Sequence, residues 1–212
     1  MPLMNFYCER TTEQIFDEPI NAISNIFFII VSLSLIKILR KNQSNKIYYV
    51  QPILIFFIGI GSFLFHLMPN LITLYSDIIP IFLFSLSFIF LFNRDVICIN
   101  YVNNTLLFLL FFILLLFITP KLNYEILNGS EFYFANYFFL TLYTVWLYVK
   151  KSEFFQLLFL GFIFFNLSIF LRTIDNHVCN YFSIGTHFLW HFLNAYLLKI
   201  LTLVTCKIKQ PY

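Results

Sequence analysis

The chain has 212 residues, of which 60% are hydrophobic and 11% charged, with 31 phenylalanines and a formal net charge of +3. A soluble domain carries about 25% charged residues, so the composition excludes an ordinary aqueous enzyme and points to a polytopic membrane protein. No stretch between apolar runs is long enough to fold alone, and the small net charge gives no case for a nucleic-acid partner. Residues 1–19 form a polar N-terminal segment without the basic start and apolar run of a cleavable signal peptide. A membrane-spanning helix needs about 20 apolar residues. Seven segments qualify in chain order: 20–39, 48–67, 71–92, 103–119, 132–149, 154–171 and 183–205. Polar stretches separate them: "RKNQSNK" (40–46), "MPN" (68–70), "NRD" (93–95), "TPKLNYEILNGSE" (119–131), "KKSE" (150–153) and "RTIDNHVCN" (172–180). The expected architecture is all-α, one seven-helix membrane domain over residues 1–212.

Orientation follows from the basic residues, which favour the inner side. With the N-terminus outside and the C-terminus inside, the inner loops and tail hold Lys37, Arg40, Lys41, Lys46, Arg94, Lys150, Lys151, Lys207 and Lys209. The outer segments hold only Arg10, Lys121 and Arg172. This topology puts Ser62 and His66 in the last turns of the second helix, Asp77 two turns into the third, and His187 and His191 early in the seventh. All five then lie in one layer near the outer face. His187 and His191 are four apart and share a helix face. With His66 they make a three-imidazole shell with an open fourth position, the pattern of catalytic zinc. Asp77 is placed as general base and Ser62 as hydrogen-bond donor to a developing oxyanion. The plainer alternative treats each Ser or His as an interhelical hydrogen bond. An intramembrane carboxylate is costly and weighs toward function.

The arrangement Ser62-x3-His66, Asp77 eleven residues on and His187-x3-His191 at the far end resembles the alkaline ceramidase family. So do "YCERT…EPINAISN" (7–25), "RTIDNHVC" and "GTHFLWHFLNAY". The resemblance covers nearly the whole chain. It implies a seven-helix enzyme that cleaves the amide of an N-acyl sphingolipid to a sphingoid base and a fatty acid. It further implies zinc on His66, His187 and His191, with Ser62 and Asp77 assisting catalysis. A related seven-helix receptor family carries a similar zinc shell, so a lipid sensor without turnover is the rival expectation. A proton pathway is a weaker rival, because the ionisable groups stop in the outer half apart from Lys199.

Animal members also bind calcium through the segment before the first helix. Glu9 and Glu18 match two of that site's acidic ligands, and Asp17, Asn21 and backbone carbonyls are the further oxygens on offer, whereas Phe6 stands where another acidic ligand is expected. Hard cations want six or more oxygens. The alternative pairs Glu9 and Glu18 with Arg10 and Arg172. The topology places Cys8 and Cys179 outside, and the family resemblance suggests a bridge between their segments, so a Cys8–Cys179 disulfide is expected. His177 reads as a surface residue, Trp190 as an interfacial or cavity-lining one, and Arg172 and Asp175 as a local ion pair. "NGS" (128–130) is a glycosylation sequon.

Overall fold

The computed structural model describes residues 7–12, 14–122 and 128–208. Among the described residues every regular element is helical. Seven helices are long and apolar enough to cross a membrane: α1 (Pro19–Lys41), α2 (Lys46–Leu67), α3 (Leu71–Ile97), α4 (Tyr101–Lys121), α5 (Ser130–Val149), α6 (Phe155–Val178) and α7 (His187–Thr205). The chain is thus an integral, multi-pass membrane protein. Lys209 and residues 123–127 of the 119–131 loop lie outside the described residues.

Local sequence sets the helix ends. Asn70 opens α3 with a reciprocal cap: its side chain accepts from the amides of Ile72 and Thr73, while the Thr73 hydroxyl accepts from the Asn70 amide. Asn45 and Asn100 cap α2 and α4 in simpler form. Asn25 breaks α1 into Pro19–Ser24 and Ile26–Lys41, and its side-chain amide donates to the Asn21 carbonyl at 2.9 Å.

Two helices run further than the polar punctuation suggests. α3 continues through "NRD" to Ile97, because Asn93 finds partners within the bundle. It is fully buried, donates to Asn104 Oδ1 at 3.0 Å and accepts from the Tyr143 hydroxyl at 2.9 Å. α6 continues through most of "RTIDNHVCN" to Val178, and Asp175 within it is also fully buried. α7 starts at His187 rather than 183, after a turn in which Gly185 takes φ +70°.

The core is built of Leu35, Ile55, Phe84, Phe139, Leu147 and Val204, among others. Many large apolar side chains, such as Ile30, Phe57, Leu109 and Phe170, remain exposed around the rim, where lipid is their solvent. α7 is central: 61% of its most apolar stretch is buried, against 17% for the peripheral α4. α2 and α3 approach closely at Gly61, where an added Cβ would stand 2.0 Å from the Ser76 carbonyl oxygen. That approach brings Ser62 and Asp77 face to face.

Candidate metal centre

α2 and α7 deliver three imidazoles to one point. The ligand atoms of His66, His187 and His191 all lie within 4.8 Å of one another, and each residue is at most 1% exposed. The tautomers can be assigned from the hydrogen bonds. His66 Nδ1 lies 2.6 Å from Glu18 Oε2, a pure acceptor when ionised, so that nitrogen carries the proton. His191 Nδ1 lies 2.7 Å from the Ser24 hydroxyl, whose own proton goes to the Asn21 carbonyl at 2.8 Å. Ser24 therefore accepts, and His191 Nδ1 is also protonated. Both Nε2 atoms then carry lone pairs, and they face each other at 3.2 Å.

Two lone pairs so placed repel unless a cation stands between them. Zinc–nitrogen bonds of about 2.0–2.1 Å at tetrahedral angles separate neighbouring ligand atoms by about 3.3 Å. His187 Nδ1 is buried without a hydrogen-bond partner among the described residues. The residues thus fit a metal held by three histidines, with carboxylate and hydroxyl partners fixing two of the rings.

The surrounding groups complete the site. Ser62 Oγ lies 3.5 Å from His191 Nε2 and is only 2% exposed. Asp77, partly exposed on α3, lies within electrostatic reach of Ser62, His66 and Arg172. Tyr7 stacks on the His187 ring at 3.7 Å between centroids, and burial keeps its phenol neutral. Trp190 also stacks with that ring, at 5.4 Å between centroids. It also borders an apolar cavity lined by Phe84, Phe139, Leu197 and Leu201, with Ser85, Asn136 and Asn194 among its few polar groups.

The N-terminal segment closes over this centre, held by a Cys8–Cys179 disulfide. Asp175 reinforces it. One carboxylate oxygen accepts from the Cys8 amide at 2.9 Å, and the other from the amides of Thr186 and His187 at 2.6 and 2.9 Å. A buried carboxylate thus caps the N-terminus of α7, where the helix dipole favours negative charge. The expected Arg172–Asp175 pair is not among the ion pairs of the described residues. The Arg172 guanidinium instead lies over the rings of Tyr7, Tyr133 and Trp190 at 5.5–5.6 Å. His177 is exposed, as the sequence suggests. Asn128 of the sequon donates to the Arg172 carbonyl at 2.9 Å and accepts from Asn176, so its amide is engaged within the fold.

The calcium expectation meets a different arrangement. Glu9 accepts from the amides of Ile20 and Asn21 at 2.7 and 2.8 Å, an acidic cap on α1, and burial pushes its carboxyl above the usual range. Glu18 is bonded to Arg10, His66 and Asn21. Burial works to raise its pKa, but the bonds from His66 and Arg10 outweigh it and hold the carboxyl below the usual range. The acidic oxygens are therefore already satisfied by Arg10, His66 and main-chain amides, and they do not fit a second metal.

Sequence reasoning missed the orienting roles of Glu18 and Ser24. Their signal was present: Glu18, Asn21, Ser24 and Asn25 recur at three- and four-residue spacing, which puts four polar groups on one face of an apolar helix.

The fold and this centre define a class: a seven-helix integral membrane protein with a three-histidine site buried near one end of its bundle. Comparison with known protein families matches residues 6–209 to the ceramidase family, and the chain belongs to that family. No curated protein matches the chain. Membership implies an amidohydrolase that acts on a lipid from within the membrane.

Proposed function

We propose that the protein is a zinc-dependent hydrolase of an N-acyl sphingolipid, releasing a sphingoid base and a free fatty acid. The observation that carries this reading is the pair of facing Nε2 atoms of His66 and His191 with His187 alongside. Zinc in that shell supplies an activated water, its pKa lowered to about 7, and a Lewis acid for the amide carbonyl.

The chain's own residues do the rest. The acyl chain lies in the apolar cavity behind Trp190, and the amide sits between the histidines and Asp77. Asp77 accepts the proton of the attacking water and returns it to the departing amine. Ser62 donates a hydrogen bond to the carbonyl oxygen as negative charge builds on it, in a setting of low dielectric where such a bond is strong. Tyr7 and the disulfide-tied N-terminal segment cover the centre and limit bulk water. The N-terminus lies on the outer side, with the three basic residues of that side against nine on the other.

Two measurements test this reading. Elemental analysis should find about one zinc per chain, lost when His187 and His191 are both replaced by Ala. In detergent with a ceramide, Asp77→Asn should lower fatty-acid release by about 10²–10⁴-fold, the usual worth of general acid–base catalysis, while zinc stays bound. Normal turnover by Asp77→Asn would remove the assigned base. Saturable lipid binding with no product would favour the sensor reading.

A further inference from the structure

We infer that Arg10 is a built-in cation, occupying the oxygen-lined seat a hard metal would otherwise take and positioning His66 from it. This rests on the reading of His66 as a metal ligand. Arg10 is 5% exposed, and its guanidinium meets four oxygens. Nε donates to Glu18 Oε1. Nη1 faces the carbonyls of Thr12 and Gln14, each at 3.4 Å, and Nη2 donates to the carbonyl of His66 itself at 2.8 Å. A carboxylate and three carbonyls converging on one buried point form the donor set of a hard cation. Here a fixed positive charge fills it.

While Arg10 fills the seat, the described residues leave a divalent ion short of the six or more oxygens it wants. Glu9 is turned onto the amides of Ile20 and Asn21. Asp17 is turned onto those of Thr11 and Thr12, at 2.6 Å each. Among the described residues Glu18 is the one carboxylate left facing the seat, and its second oxygen lies 2.6 Å from His66 Nδ1.

The fork has a mechanical consequence. Arg10 grips the main chain of His66 with one nitrogen and, with another, the carboxylate that orients the His66 ring. It fixes both ends of the lever that aims Nε2 at the metal. Partners of this kind are worth about 10–100-fold in metal affinity. Lys in its place would keep the charge but lose the planar fork. Arg10 is therefore a positioning residue, and it makes the protein indifferent to calcium.

The test uses the full-length, zinc-loaded protein and two readouts independent of hydrolysis. These are zinc affinity by competition with a chromophoric chelator, and the thermal midpoint in calcium-depleted buffer with and without millimolar Ca²⁺. The wild type should show no calcium shift. Arg10→Ala should bind zinc about 10–100-fold more weakly and regain part of its thermal midpoint with Ca²⁺, and Arg10→Lys should fall between. A calcium-dependent rise in the wild type overturns the inference. Undiminished zinc affinity in Arg10→Ala overturns the positioning role. If Arg10→Ala does not fold, the wild-type calcium titration and the zinc affinity of Arg10→Lys decide. Loss of hydrolysis with both results intact would count against the proposed substrate only, and a wild type without zinc against the metal centre itself.

Discussion

At the scale of single residues, the N-terminal segment depends on short carboxylate-to-amide bonds that pH can switch. Asp17 accepts from the amides of Thr11 and Thr12, and those bonds hold its carboxyl below the usual range. A lowered folded pKa contributes stability that is present above the unfolded value, about 3.9, and lost as pH falls through the folded one. Hydrogen exchange at the Thr11 and Thr12 amides should therefore be slow at neutral pH and accelerate relative to other amides below about pH 4. Asp17→Asn should exchange fast at neutral pH too. Equal protection in Asp17→Asn would show that the turn holds without the charge. The five residues of the centre were legible because each breaks an apolar run. Glu18, Ser24 and Arg10 were harder to read. They act through other residues, and a polar side chain just before a helix looks like ordinary surface until its partner across the fold is seen.

At the scale of elements, the contact that matters most for the chemistry is α2 on α3. The backbones meet where Gly61 faces the Ser76 carbonyl, an approach that only a residue without a side chain permits. Gly61→Ala has no flexible atom to displace and must push the helices apart. The expected cost is about 1–3 kcal/mol of stability, read as a lowered thermal midpoint, together with a disproportionate loss of turnover as Ser62 and Asp77 separate. Zinc content should persist, because His66 and the α7 histidines do not meet through that contact. An Ala variant with unchanged midpoint and activity would show that the approach is looser than described. Seven helices and their order could be read from apolar runs alone, because the membrane demands length. Their ends could not. "NRD" and "RTIDNHV" look like loops by polarity, yet Asn93 and Asp175 are satisfied from other elements, so the helices continue through them.

At the scale of the whole molecule, one covalent bond joins the two ends of the site. Cys8 and Cys179 are separated by 171 residues. In the chain-entropy account, closing a loop of that size is worth up to about 5 kcal/mol. Cys8→Ser, or reduction in detergent, should lower the thermal midpoint and open the N-terminal segment to protease. It should also weaken zinc retention, since Tyr7 and Arg10 sit beside Cys8 and touch His187 and His66. A reduced protein with wild-type protection and metal affinity would leave the bridge without a role at the centre.

That bond also sets an order of manufacture. His66 leaves the ribosome 125 residues ahead of His191, and Cys8 waits even longer for its partner. A chain stalled before its last helix holds one imidazole of three and an unmatched thiol, so it cannot retain the ion. On the proposed reading of the centre, the ion is acquired after insertion is complete, on the side of the membrane where the bridge forms. Supply of the metal to that compartment, rather than synthesis of the polypeptide, would set how many molecules become competent.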